Sequence, residues 1–279
     1  MDTASTKDLK ASIMKVGFSK VRITPPLGTT MYGFASRDRE YGCKAIHDDL
    51  FARALYISHK GEEALIMGLD LLFFNRAEVD RYKGAIGRKT DLLPRQILLN
   101  TSHTHAGPMV GTAWTYAQYR MEDLLYADEL EQAMVKAACQ AQAAACEVRM
   151  WAGIARSSLP MSRRKKDHEG KIHFAPNPYG IICDTLPICL FKDLKGKPVA
   201  LLFSISCHPS TISGYEISSD YPGVSMELLD KHLGAGGSLF LQGTGGDAKA
   251  SIIGQGEKWS SGTWDDVSKA GNIVAQEVM

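Results

Sequence analysis

Apolar and polar residues alternate from Lys15 to Thr24, the period of a half-buried strand, and the alternation stops at the Pro25-Pro26-Leu27-Gly28 turn. Residues 29–49 carry many Gly, Arg and Asp residues without strong periodicity, which predicts a long ordered loop. Two apolar runs follow, Leu50 to Ser58 and Glu63 to Leu72, separated by His59-Lys60-Gly61, and predict a hairpin with Asp70 near its end. Arg76 to Lys89 reads as a helix and Gln96 to Thr101 as a buried strand. The strongest helical signal runs from Tyr126 to Ala145, with acidic residues 128, 129 and 131 in its first turns. Val148 to Ala155 and Thr185 to Lys192 predict strands. Pro198 to Ser206 is an apolar run of strand length, expected to be buried on both faces. A helix from Val224 to Leu233, a strand from Ser238 to Gln242 and a helix from Asp265 onward complete the pattern. Hairpins beside strand–helix alternation predict an α/β fold of mixed β-sheets covered by helices. The expected organisation is a flexible tail over residues 1–14 and a single domain over 15–279. The last segment keeps helical spacing up to Met279 without a Gly or Asn cap, as in a chain that stops inside a helix.

Composition narrows the function class. The 279 residues are 44% hydrophobic and 23% charged, ordinary for a globular protein with a sizeable core. A formal net charge of +1 removes bulk electrostatics as an argument for a nucleic-acid partner. The basic run Arg163-Arg164-Lys165-Lys166 is followed by Asp167 and Glu169 and reads as a solvated loop. Six cysteines without CxxC spacing are expected to be reduced. The N-terminal residues have no signal-peptide pattern, and no apolar run is long enough to span a bilayer. The chain reads as soluble, cytoplasmic or secreted with a leader outside this sequence, and its oligomeric state is not legible.

Three histidines stand just after apolar, strand-like runs. Residues 97–102 lead into His103-Thr104-His105-Ala106-Gly107-Pro108, and residues 201–207 lead into His208-Pro209. Strand ends present reactive side chains from a rigid base. On extended backbone, residues two apart point to one side, so His103 and His105 are expected to share a site. Neutral imidazole is the commonest zinc ligand, and zinc generates a nucleophilic water near neutral pH. The alternative is that each histidine is a hydrogen-bonded turn residue. Two further loops are candidates: Gly243-Thr244-Gly245-Gly246-Asp247, with Gly246 as an oxyanion donor and Asp247 beside it, and Ser219-Asp220-Tyr221-Pro222, where Asp220 either orients a ligand histidine or caps a helix.

Taken jointly, these motifs resemble the N-terminal catalytic domain of the neutral/alkaline (non-lysosomal) ceramidase family. The resemblance rests on Gly17 to Gly28, Gly33-Phe34-Ala35-Ser36-Arg37, Ile46 to Leu55, Asn100 to Pro108, Arg163, Cys207-His208-Pro209, Ser219 to Gly223 and Gln242 to Asp247. It implies Zn2+ held by His103 and His208, with His105 as the catalytic histidine beside the metal and Arg163 as a substrate contact. It implies further Glu and Tyr ligands beyond Met279, so that the domain here is incomplete. Asp70, Asp220 and Asp247 are weaker candidates to replace them. Lys249 departs from the family pattern, which has an uncharged segment there, and weakens the expectation of ceramide as such. The implied activity is zinc-dependent hydrolysis of a linear amide in a small-molecule or lipid-like N-acyl substrate. The alternatives are a metal-free, non-catalytic homologue and a metallo-esterase built on the same site.

Overall fold

The computed structural model describes residues 13–38, 41–110 and 121–279. In chain order the main elements are β1 (Met14–Arg22), β2 (Phe51–His59), β3 (Glu62–Leu69), α1 (Arg76–Thr90), β4 (Ile97–Thr101), α2 (Met121–Ala143) and β5 (Cys146–Arg156). They continue with β6 (Pro160–Lys166), β7 (Ile172–Asn177), β8 (Thr185–Asp193), β9 (Pro198–Ile205), α3 (Asp220–Leu233), β10 (Gly237–Gln242), β11 (Ala248–Ala250) and α4 (Trp264–Val278). Eight strands form one mixed sheet in the order β10-β9-β8-β5-β1-β2-β3-β4. Its neighbours are antiparallel except for the outer pairs β3–β4 and β9–β10, which are parallel and joined through α1 and α3. The α/β expectation is met.

The sheet folds back on itself. Val16, Leu55, Val148, Phe191, Ala200 and Leu239 come from six strands and pack into one cluster between its two halves. Burying a Leu or Phe side chain in this way stabilises by about 1.5–3 kcal/mol. Alternate residues face outward, as strand period demands. Ala52, Ala54 and Tyr56 of β2 meet α1 and α2 through Tyr82, Tyr126, Leu130 and Met134. Leu201, Phe203 and Ile205 of β9 meet α3 and α4 through Met226, Leu229, Ala270 and Val274. The result is a four-layer helix–sheet–sheet–helix arrangement, and β9 is covered on both sides as its apolar run predicts.

Local sequence explains the element ends. Asn75 and Glu78 form a reciprocal capping box at the start of α1, with both hydrogen bonds at 3.1 Å. Thr263 and Asp266 do the same for α4. Lys60 and Gly61 both have positive φ, the two-residue turn that suits the twist of the β2–β3 hairpin. Helix α2 already includes Met121, ahead of the Tyr126 its buried stripe predicts, because Met121, Leu124 and Leu125 face solvent. Met14 already belongs to β1, so the expected tail is shorter by that residue, while positions 1–12 lie outside the described residues. The basic run around Arg163 is not a loop. It lies on β6, which pairs with β7 and β11 in a separate three-stranded sheet. Charged residues on both faces hid the strand period. Among the described residues, no helix is long and apolar enough to cross a membrane.

Candidate metal and catalytic site

The two parallel outer pairs bring their C-terminal ends together. The side chain of Asn100 clamps them: its oxygen accepts from Gln242 N at 2.8 Å and its amide donates to the Gln242 carbonyl at 3.3 Å. Ligands of α/β sheets bind outside such strand ends. His103 follows β4, His208 follows β9, and the glycine loop follows β10. The three imidazoles of His103, His105 and His208 converge, with ring centroids 4.6–5.2 Å apart and one potential ligand atom from each within 4.8 Å of the others. Among the described residues, no carboxylate or thiol joins this group.

The convergence of His103 and His105 does not come from strand alternation. His103 has φ of 66°, a left-handed conformation that costs an ordinary residue about 1–2 kcal/mol. Its N–H is held by the Leu71 carbonyl at 2.9 Å, and its ring Nδ1 donates to the Leu72 carbonyl at 2.8 Å. His208 is fixed in a similar way, with its backbone N–H on Ala248 O at 3.0 Å and Nδ1 facing Gly245 O at a longer 3.3 Å. A neutral imidazole whose Nδ1–H is committed to a carbonyl keeps its lone pair on Nε2, the arrangement metal-binding histidines adopt. His103 and His208 therefore fit a zinc ion. His105 differs. Its Nδ1 is buried without a well-formed hydrogen bond, although the Gly33 carbonyl lies close enough to favour protonation. Its Nε2 lies 2.8 Å from His208 Nε2. In the metal-free site a hydrogen bond between the two Nε2 atoms, with His208 Nδ1 protonated, requires the His105 proton on Nε2; His208 Nε2 gives up this acceptor role when it holds a metal.

Burial holds all three rings neutral. His105 is pushed down to about 2 and His208 to about 3, first by desolvation and then by the neighbouring histidines. His103 is lowered by desolvation as well. Arg37 secures the His105 backbone by donating to its carbonyl at 3.0 Å and also to the Tyr32 carbonyl. Gly33 lies against the same ring, where an added Cβ would sit 2.9 Å from His105. A cavity of about 300 Å³ opens at His103 and His105, with apolar walls from Met31, Phe34, Leu72 and Phe73.

The remaining expected residues fall in three places. Arg163 is half-buried beside the cluster, close enough to oppose protonation of His103 and His208, with its guanidinium 5.3 Å from the Phe174 ring centre. Gly246 and Asp247 are exposed, and Asp247 favours the charged form of Arg163. Asp220 is fully buried and makes no hydrogen bond to a histidine among the described residues. It accepts from Thr211 N at 2.8 Å and Tyr221 N at 2.6 Å, which braces the loop after His208. Asp70 accepts from Phe51 N in a separate polar cavity that it shares with Asp48 and Arg53. Sequence reasoning missed the backbone carbonyls that face the ring Nδ1 atoms of His103 and His208, those of Leu72 and Gly245. Only Gly245 carried a signal, since its Cα packs against Cys207 with no room for a side chain.

No protein-family model matches the sequence, and no curated protein matches it. Solved structures do share the fold. The neutral ceramidase of Pseudomonas aeruginosa superposes with a TM-score of 0.76 at 17% identity, over 95% of this chain and 44% of that one. A ceramidase complexed with C2 superposes with a TM-score of 0.75 at 18% identity, over 95% of this chain and 43% of that one. This chain has a ceramidase-type fold and spans less than half the length of those structures.

Proposed function

We propose that this chain provides the histidine part of a zinc-dependent hydrolase site for linear amides in N-acyl compounds. The observation that carries the reading is the convergence of three neutral imidazoles at strand ends, two of them with Nδ1 turned to backbone carbonyls. His103 and His208 would hold Zn2+ through Nε2. When bound, zinc supplies a Lewis acid and a nucleophile at neutral pH. His105 acts as an uncharged donor: burial keeps its pKa near 2, so its Nε2–H donates to the oxygen of the scissile carbonyl as negative charge develops there. The apolar cavity at His103 and His105 takes the acyl chain and excludes water from the reacting bond. Arg163, beside His103 and His208, contacts the substrate. The similarity to ceramidase structures favours an amide over an ester, and ceramide is one member of the substrate class.

Zinc content by mass spectrometry, with hydrolysis of N-lauroyl amides and O-lauroyl esters of matched length, tests this. About one zinc per chain is expected in the wild type and loss of zinc and amidase activity in His103→Ala and His208→Ala. A protein that binds no zinc, and whose His103→Ala form keeps its activity and stability, overturns the proposal. Ester cleavage without amide cleavage replaces it with a metallo-esterase.

A further inference from the structure

Two cations stand beside the histidines without an ion-pair partner among the described residues. Lys249 lies on β11, with its backbone bridged to His208, and is only 7% exposed. Its Nζ sits 5.9 Å from the centre of the Phe174 ring and 5.4 Å from that of Trp259. Arg163 stacks on the same Phe174 ring at 5.3 Å, and its Nε is buried without a hydrogen-bond partner. Among the described residues, neither side chain makes an ion pair. Lys165, two residues from Arg163 on the same strand, is by contrast neutralised by Glu257 at 2.5 Å. The acids that act on the pair are poorly placed to neutralise it. Asp247 is exposed, and the oxygens of Asp220 are taken up by backbone N–H groups. The other groups acting on the pair are Cys207, the neutral histidines and Arg164, an exposed cation that adds to the repulsion on Arg163. Two like charges held together in a half-dry volume repel each other and lose hydration, and the aromatic faces offset only part of that cost. An oxyanion would remove both costs and meet two charge-assisted donors.

We propose that Arg163 and Lys249 form an oxyanion-binding subsite beside the histidine cluster, so that the preferred substrate carries a carboxylate or phosphate close to its scissile amide. This rests on the hydrolase reading for its setting, but the anion site is testable without turnover. Calorimetric binding of N-lauroylglycine, its neutral methyl ester and N-lauroyl phosphoethanolamine to the wild type separates the charge requirement from the acyl chain and the carboxylate from the phosphate. At least tenfold tighter binding of one anionic ligand than of the ester is expected, weakening as salt rises. Lys249→Met should remove the preference and Lys249→Arg should keep it, with unfolding midpoints confirming that both variants fold. Equal binding of the ester and both anions by the wild type overturns the proposal. So does an anion preference that survives Lys249→Met and disappears on zinc chelation, since that places the anion at the metal. Anion-selective, Lys249-dependent binding with no amide cleaved would support the subsite while refuting the hydrolase. Turnover of neutral amides with no anion preference would do the reverse.

Discussion

The neighbouring glycines 245 and 246 allow a sharp test of how the histidine cluster is held. Ala at 245 would place its Cβ 2.9 Å from the backbone of Cys207 and against the Gln242 side chain. The backbone contact cannot yield by rotamer change, so the loop must move, at about 1–3 kcal/mol. That movement carries away the carbonyl facing His208 Nδ1 and adds about 1 kcal/mol for the lost hydrogen bond. Gly245→Ala should therefore destabilise by about 2–4 kcal/mol and weaken zinc binding roughly 10–100-fold, the usual effect of removing a partner that orients a ligand. At Gly246 an added Cβ meets nothing within 4 Å, and φ lies outside the left-handed region. Gly246→Ala should be neutral or stabilise by about 0.5 kcal/mol through the unfolded chain. Urea denaturation of the metal-free protein and zinc titration against a chelator measure the two effects. If both variants match the wild type within about 0.5 kcal/mol and in zinc affinity, the Gly245 carbonyl does not orient His208.

Three further outcomes follow from buried charge. The Asp70 carboxyl is pushed up to about 6 by burial, above its unfolded value, so its contribution to stability is lost as pH rises from about 4 to 6. Asp70→Asn should raise the unfolding free energy at pH 8 by at most about 3 kcal/mol and change it little at pH 4; an unchanged or lower stability at pH 8 refutes this. The histidine pKa values are depressed, so their contribution is complete above about 6.5 and declines as pH falls toward about 3. Carbon shifts of His105 and His208 in the metal-free protein should still report neutral rings at pH 5, and midpoints near 6.5 would contradict the burial described for them. Arg53, 3% exposed in its side chain, bonds Asp230 at 2.8 Å and the Ser238 carbonyl at 2.9 Å. Arg53→Met removes the buried partner of Asp230 but leaves it Lys20 at 3.3 Å and the Ser238 N–H and hydroxyl at 2.7 Å, and should cost about 1–3 kcal/mol in denaturant; a loss below about 0.5 kcal/mol would show that these partners suffice for Asp230.

Sequence by itself determined most elements of the eight-stranded sheet, because apolar period is a local property that survives in the fold. The β2–β3 hairpin, α1 and β9 lie close to where their patterns put them. It also singled out His103, His105 and His208, since a histidine just past an apolar strand is visible without coordinates. Local pattern failed for β6, where cations on both faces erase the period and so left Arg163 in a loop, and for β7, a six-residue strand carrying Pro176 whose apolar Ile172 and Phe174 are exposed. Only tertiary structure decided how the site is held. The left-handed turn at His103, the Leu72 and Gly245 carbonyls and the approach of Arg163 to Lys249 join residues up to 86 positions apart along the chain. Their positions depend on the sheet folding back so that β4 and β10 meet at Asn100 and Gln242. A backbone carbonyl has no residue identity, and the cost of an unpaired cation depends on what surrounds it. Neither can be read from the chain before it folds.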